Sequence, residues 1–244
     1  MGPAGLRLFG RILHVDLLEA FCSSRSARAT RVAPDLGGAK MTGSTDGITL
    51  GITKDKVPLG SHLIHFWEDS EEFERGVRFL ELGIESDAEY CVLFGHDEAN
   101  RRVLEILHKR FDDLDRVIRE ERLVILRRES SAPTTLARIE SAFEAALRKG
   151  ASAIRYLGNL GMGKAPLPAR GADEVIELEN GASALGLRFP CVIVCMYDIN
   201  TVSGRLVLNA GFGTHPFSVC GHSLRENSYF TANPRVLKVQ RSAQ

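Results

Sequence analysis

The sequence predicts a three-layer α/β domain built on a mostly parallel sheet, and two observations carry this prediction. The first is the run Phe189–Asp198, FPCVIVCMYD, in which only the last residue is charged. A run this short and apolar is typical of a strand that is covered on both faces. The second is the alternation of short apolar runs with segments of helical period along the chain. This alternation favours parallel strands joined by right-handed helical crossovers.

The elements follow one another from residue 62 onward. Six strands are predicted from apolar runs bounded by turn-forming or polar residues, namely His62–Trp67, Tyr90–Phe94, Arg122–Leu126, Ala153–Leu157, Phe189–Asp198 and Phe217–Cys220. Between them, apolar residues at helical spacing predict helices. These helices start after Asp69 or Ser70, after Asp97 and at Pro133, and cover Ala172–Leu185 and Thr201–Ala210.

Alternation within a strand assigns side chains to the two faces of the sheet. In the fifth strand, Cys191, Ile193, Cys195 and Tyr197 are expected to share one face, and the residues between them the other. The same period of two places His62 and His65 on opposite faces of the first strand.

Composition narrows the partners and the compartment. Basic and acidic residues are equal in number, 31 each, which does not favour nucleic acid or an anionic membrane surface. No run approaches the roughly 18 apolar residues of a membrane span. Charged residues interrupt the N-terminal apolar stretch, which argues against a secretory signal. Five cysteines, three of them in apolar strand-like runs, indicate buried thiols in the cytoplasm.

The chain divides into three parts by composition. Residues 1–56, rich in Ser, Thr, Gly, Ala and Arg over much of their length, are predicted to form a flexible extension. Residues 57–232 are predicted to form the folded domain, and residues 233–244 a C-terminal tail.

Aromatic and polar residues follow four of the predicted strands. Carboxyl ends of parallel strands share one edge of the sheet, where ligands bind in open α/β folds. The rim expected there is formed by Trp67, Glu68, Asp69, Gly95, His96, Asp97, Arg155, Tyr156, Gly158, Asn159, Tyr197, Asp198 and Asn200. Such a mixture is typical of a small-molecule pocket. Taken singly, the same acids and glycines are equally good helix caps and turn residues.

The segment Gly158–Ala165, GNLGMGKA, matches most of a phosphate-binding loop. Ala165 stands where a hydroxyl would bind magnesium, and prolines at 166 and 168 follow where a helix should continue. The segment also follows the fourth strand and not the first. Nucleotide binding therefore stays an alternative to small-molecule sensing.

The sequence shows no catalytic or metal-binding constellation. Cys191 and Cys195 are four residues apart in one strand, roughly 13 Å, so both cannot bind the same metal ion. No G-x-S-x-G motif follows a strand, and no cysteine has the exposed helix-start setting of a nucleophile. We therefore expect a protein that is not an enzyme and that has neither a metal nor a cofactor.

These residues together resemble the MEDS family, the methanogen/methylotroph sensory domain. The resemblance covers roughly Val57–Tyr229. It rests on HFWEDSEEF from His65, on Arg155 and Gly158, on Glu179, on CMYD from Cys195, and on His215-Pro216 with Asn227 and Tyr229. The family often has Tyr in place of Trp67, and an acidic-then-Trp motif that this chain lacks near residues 159–163. The resemblance implies a RecA/KaiC-like fold without a functional Walker A motif, and a sensory input module of transcription regulation or signal transduction.

The resulting hypothesis is a stand-alone cytoplasmic sensor of a small organic ligand that signals to a regulatory protein partner. The predicted ligand contacts are His62, His65, Trp67, Arg155, Tyr197, Asp198 and His215. Tyr and Trp would supply apolar walls with a polar tip, and Arg155 would hold an anionic or carbonyl group. The second hypothesis is a degenerate nucleotide-binding protein. The third is a protein-interaction module in a phosphorelay or anti-sigma circuit.

Overall fold

The computed structural model describes residues 47–159 and 169–230, and for residues 169 and 170 the backbone alone. The predicted C-terminal tail, most of the predicted N-terminal extension and the Leu160–Ala165 part of the phosphate-loop match lie outside these ranges.

Nine strands are present in the described residues. In chain order they are β1 (Ile48–Thr49), β2 (Lys56–Val57), β3 (His62–Trp67), β4 (Glu89–Gly95), β5 (Leu123–Arg127), β6 (Ala153–Asn159), β7 (Cys191–Asp198), β8 (Phe217–Cys220) and β9 (Ser223–Glu226). β1 and β2 pair as a small antiparallel sheet. The other seven form one sheet in the order β5-β4-β6-β7-β3-β8-β9. Every pair in that sheet is parallel except β8 with β9.

Six α-helices are present in the described residues. They are α1 (Ser70–Glu85), α2 (Asp97–Arg110), α3 (Leu114–Arg119), α4 (Ala132–Arg148), α5 (Ala169–Arg188) and α6 (Gly204–Leu206), and α6 runs into a π-helical segment, Val207–Phe212. Two of the longer helices begin at clear capping signals. Asp69 caps α1, because its carboxylate accepts a hydrogen bond from the Glu72 backbone N–H at 2.9 Å. Ser131 caps α4 in the same way, with Pro133 in the first turn. By contrast, α2 begins at Asp97 itself, with His96 before it and no side-chain cap.

The strand order explains the three layers. The chain crosses the sheet in one direction from β3 through β4 to β5, and in the other from β5 through β6 and β7 to β8. Because parallel crossovers share one hand, connections that run in opposite directions must lie on opposite faces. α1 and α2 accordingly pack on one face, and α4, α5 and the π-helical segment on the other. The predicted three-layer, mostly parallel α/β fold is confirmed, and its RecA/KaiC-like detail stays a prediction.

Side-chain contacts of β7 show the two faces directly. Met196 lies against Gly76 of α1, whereas Tyr197 donates a hydrogen bond to Glu179 of α5. All six predicted strands are present, with bounds that differ by no more than two residues. None of the described helices is long and apolar enough to cross a membrane.

Three parts of the fold differ from the sequence prediction. The described domain begins before the predicted boundary at Val57, because Leu50 and Ile52 of the β1–β2 hairpin are buried in the core. α3 and β9 were not predicted. The helix predicted over Thr201–Ala210 is instead the short α6, starting at Gly204, followed by a π-helical segment that ends at Phe212.

Gly95 at the end of β4 is a position where the close approach of two backbones excludes a side chain. A Cβ atom there would lie 2.5 Å from the carbonyl oxygen of Asn159 on β6, closer than any real contact. We predict that Gly95→Ala lowers the free energy of unfolding by about 1–3 kcal/mol, since the strands must separate to admit a methyl group. Urea denaturation measures this change.

Gly213→Ala is the matched control. Its φ is −71°, and a Cβ atom there would meet nothing closer than the Leu208 carbonyl oxygen at 3.5 Å. We expect this variant to be as stable as the wild type or slightly more stable. Equal stability of Gly95→Ala and the wild type would contradict the predicted strain.

Candidate functional site

Five polar or ionisable side chains converge between the sheet and α5, and we call them the Glu179 cluster: His62, Glu179, Cys195, Tyr197 and His215. His62 begins β3, Cys195 and Tyr197 lie on the α5 face of β7, and His215 lies between the π-helical segment and β8. All five are at most 3% exposed. The cluster therefore lies beneath a helix on one face of the sheet, and not at the carboxyl-terminal rim where the sequence places a pocket.

Glu179 is at the centre of the cluster because α5 turns it inward. Its helix buries Val175, Leu178, Ala182 and Leu185, and Glu179 belongs to that same stripe. Its Oε1 accepts a hydrogen bond from the Tyr197 hydroxyl at 2.6 Å. Its Oε2 accepts from the Cys195 thiol at 3.2 Å and lies 3.3 Å from His62 Nε2.

The two histidines are held from behind. His62 Nδ1 lies 2.8 Å from Ser183 Oγ, whose own proton faces the backbone carbonyls of Glu179 and Thr214. His215 Nδ1 donates to the Gly211 carbonyl at 2.8 Å. The ring centroids of His62 and His215 are 3.9 Å apart. Both rings direct Nε2 toward Glu179 Oε2.

The π-helical segment supports the second histidine. Its carbonyl at Gly211 holds the imidazole, and its backbone packs so tightly that a Cβ at Gly211 would lie 2.9 Å from Ile64 Cδ1. Phe212 packs on Phe66 beside the cluster, with 5.3 Å between ring centroids. Insertions of π-helix recur at functional sites because they redirect backbone groups.

Burial and mutual contact set the protonation of the cluster. Burial raises the pKa of Cys195 and of Tyr197 well above their ordinary values, and the adjacent Glu179 carboxylate raises both further. Burial also lowers the pKa of His62 to about 4, with His215 contributing, while Glu179 opposes this shift. Burial alone would raise the pKa of Glu179, but the neighbouring His215 and His62 lower it below its usual range. At neutral pH Glu179 is therefore a carboxylate that accepts from protonated Cys195 and Tyr197.

The structure brings together three of the seven predicted ligand contacts, His62, Tyr197 and His215. The other four lie elsewhere. Trp67 packs against Phe73 of α1, with 4.9 Å between ring centroids. Asp198 ends β7 and accepts a hydrogen bond from the Asn200 backbone N–H at 2.9 Å.

His65 and Arg155 lie on the α1 face, so the sheet separates them from the cluster. His65 Nε2 donates to the Glu72 carbonyl at 3.0 Å. Arg155 Nε donates to the Glu89 carboxylate, and its Nη1 donates to the Thr49 carbonyl at 2.8 Å. The predicted opposite orientation of His62 and His65 is therefore confirmed, and it is also what keeps them from forming one site.

Sequence reasoning did not name Glu179 or Cys195 as site residues. A signal for Glu179 was present, since it lies four residues after Val175 and three before Ala182, inside an apolar helical stripe. A charged residue in such a stripe is buried and needs partners. For Cys195 the signal was its shared strand face with Tyr197.

A separate cleft of about 820 Å³ lies beside the ends of β4 and β5. Four arginines line it, and each is within ion-pair distance of an acidic residue: Arg101 with Glu105, Arg127 with Asp97, Arg128 with Glu174 and Arg138 with Glu129. Because each of these arginines is already paired with an acidic residue, the cleft is a weaker candidate for the functional site than the Glu179 cluster.

Arg155→Met tests whether that arginine is structural. The change leaves Glu89 and two backbone carbonyls without their buried donor, so we predict a loss of about 3 kcal/mol in the free energy of unfolding. The exposed Arg148→Met is the control, with a change expected within about 0.5 kcal/mol. Unchanged stability in Arg155→Met would contradict the structural role and favour a ligand contact.

His65 makes the domain sensitive to acid. Burial lowers its pKa to about 4, against an ordinary value of 6.5. The unfolded chain therefore binds the proton more tightly, so His65 contributes stability above pH 6.5 that is lost as the pH falls toward 4. We predict that His65→Gln, which keeps a donor for the Glu72 carbonyl, removes up to about 3 kcal/mol of this acid-dependent loss. Urea denaturation across that pH range measures it, and identical pH profiles would refute it.

The sequence profile of the MEDS family, described as the methanogen/methylotroph, DcmR sensory domain, matches residues 61–216. That range contains every residue of the Glu179 cluster. No match is found among curated proteins. The profile covers more than half of the chain, so this protein belongs to the MEDS family of sensory domains.

Proposed function

We propose that this chain is a cytoplasmic sensory domain that binds a small organic molecule at the Glu179 cluster and signals to a regulatory protein partner. The observation that carries the proposal is the cluster itself, five polar or ionisable side chains inside an apolar layer. Burying a carboxylate and two imidazoles costs stability unless they are paired. Ionisable side chains that are buried and coupled to one another in this way are typical of functional sites.

Membership of the MEDS family supports the class of stimulus. Its description as a methanogen/methylotroph sensory domain favours small organic molecules over macromolecules. The cluster offers such a molecule a carboxylate, two imidazoles and a phenol, with the rings of Phe66 and Phe212 packed beside them. We expect a short-chain compound with one polar group, because only that class combines small volume with a use for these donors and acceptors.

The π-helical segment connects the cluster to the protein surface, which supports a route for the signal. His215 is bonded to it through the Gly211 carbonyl, and Leu208 on the same segment is 51% exposed. A ligand that moves His215 would shift this segment and alter the surface around Leu208. A regulatory partner that binds there would read the change.

The first test is native mass spectrometry of the purified full chain, followed by thermal unfolding with short-chain alcohols, amines, thiols and carboxylates, and with Mg-ATP. A ligand at 100 times its Kd adds about 2.7 kcal/mol, which raises the melting temperature visibly. We predict that Glu179→Gln and Tyr197→Phe each weaken ligand affinity at least about tenfold. The rise in melting temperature at a given ligand concentration should shrink accordingly. Tyr90→Phe, a tyrosine of β4 outside the cluster, should bind as the wild type does.

The outcomes separate the three hypotheses. Stabilisation by an organic molecule that depends on Glu179 supports the sensor. Stabilisation by Mg-ATP alone, lost in Lys164→Ala, favours the nucleotide-binding alternative. No response to any compound contradicts the proposal and favours the interaction module.

A further inference from the structure

The side chains of the Glu179 cluster have the donor set and the spacing of a transition-metal site. One donor atom from each of four residues, His62, Glu179, Cys195 and His215, lies within 4.8 Å of the other three. Two imidazoles, a thiolate and a carboxylate are the ligands that zinc takes in proteins. No metal site was predicted from the sequence because Cys191 and Cys195 are too far apart along one strand to bind the same ion. The structure instead brings Cys195 together with residues from three other parts of the fold.

The distances between donor atoms are compatible with the spacing of a coordination shell. Four of them are 3.2 Å (Cys195 to Glu179), 3.3 Å (His62 to Glu179), 3.4 Å (His62 to Cys195) and 3.5 Å (His215 to Glu179). Donors about 2.0–2.3 Å from a tetrahedral zinc ion lie about 3.3–3.6 Å apart. The two nitrogen-to-oxygen distances, 3.3 Å and 3.5 Å, are longer than a typical N–H···O hydrogen bond of about 2.9 Å.

The outer hydrogen bonds fix which ring nitrogen faces the centre. His215 Nδ1 has the carbonyls of Gly211 and Ala210 as neighbours, at 2.8 Å and 3.2 Å, so it carries a proton. The Ser183 hydroxyl points its proton toward carbonyls, so its oxygen accepts from His62 Nδ1. In the neutral rings both Nε2 atoms therefore present lone pairs to the Glu179 carboxylate.

Lone pairs that converge in this way repel one another unless a proton or a metal cation lies between them. His215 Nε2 has no hydrogen-bond partner among the described residues, although it is fully buried and directed at the cluster. No lysine or arginine of the described ranges lies within ion-pair distance of Glu179. Histidines that bind a metal usually donate their other ring N–H to a carboxylate, a backbone carbonyl or water, as His215 Nδ1 donates to the Gly211 carbonyl.

We propose that the Glu179 cluster binds one borderline divalent transition metal ion of the zinc type through His62, Glu179, Cys195 and His215. The Cys195 thiol gives its proton to solvent as the metal–sulfur bond forms. Tyr197 keeps its hydrogen bond to Oε1 and orients the carboxylate. This inference shares its residues with the proposed function but does not require the organic ligand.

The test begins with the metal alone. Full-length protein is purified without chelator, its metal content is measured, and the metal-free form is titrated with Zn²⁺ and with Co²⁺. We expect about one equivalent of metal, a raised melting temperature, and for Co²⁺ the intense tetrahedral and thiolate charge-transfer absorption of a site with one sulfur. Zinc-edge X-ray absorption should show one sulfur and three nitrogen or oxygen donors.

Cys195→Ser and Cys191→Ser form a matched pair of variants. Both cysteines are buried on the same face of β7, and only Cys195 belongs to the donor set. Cys195→Ser should lose the charge-transfer band and bind zinc at least about 100-fold more weakly, whereas Cys191→Ser should match the wild type. Glu179→Gln, nearly isosteric, is a second variant should Cys195→Ser fail to fold, and it should weaken binding at least about tenfold.

Three results would overturn the proposal. One is a wild-type protein that holds no metal and gains no stability from Zn²⁺ or Co²⁺. Another is a Co²⁺ spectrum without a thiolate band, which would place the ion elsewhere. The third is equal metal affinity in Cys195→Ser and the wild type. Because no organic molecule is added, these results are independent of the sensor hypothesis, and metal binding without an organic ligand would leave that hypothesis to its own test.

Discussion

The site depends on one constraint: a carboxylate buried between a sheet and a helix must be satisfied by its neighbours. Glu179 is 1% exposed and lies in a stripe that otherwise buries aliphatic side chains. Tyr197 and Cys195 can donate to it because burial keeps their protons in place. The orientations of His62 and His215 follow, since both direct Nε2 at the same oxygen. Removing the carboxylate would leave four buried polar groups without a common partner.

The two faces of the sheet divide structure from proposed function. On the α1 face, Arg155 and His65 form a framework that ties the β1–β2 hairpin, α1 and the sheet together. On the α5 face, the cluster is held by Ser183 of α5 and by the Gly211 carbonyl of the π-helical segment. This division would let one face preserve the fold while the other responds to an occupant, as the proposed sensory function requires.

The sequence was sufficient for elements whose signal is local. The six predicted strands of the main sheet, the helix starts near Asp69 and Pro133, and the face alternation of β7 are set by residues close in the chain. The β1–β2 hairpin was missed because its strands have two residues each and are held by distant contacts such as that from Arg155 to Thr49. For the site, His62, Tyr197 and His215 were predicted. Glu179 and Cys195 were not, because the sequence does not show which part of a strand a helix will cover.

The most direct measurement is a crystal structure of protein purified without chelator, with anomalous data collected at the zinc edge. The central claim is that the Glu179 cluster is the functional centre of the domain. It predicts extra density bonded to Glu179 Oε2 and His215 Nε2, either an anomalous peak or an organic molecule. A cluster closed by direct hydrogen bonds between histidines and carboxylate, with bound density found only in the arginine-lined cleft, would contradict the claim.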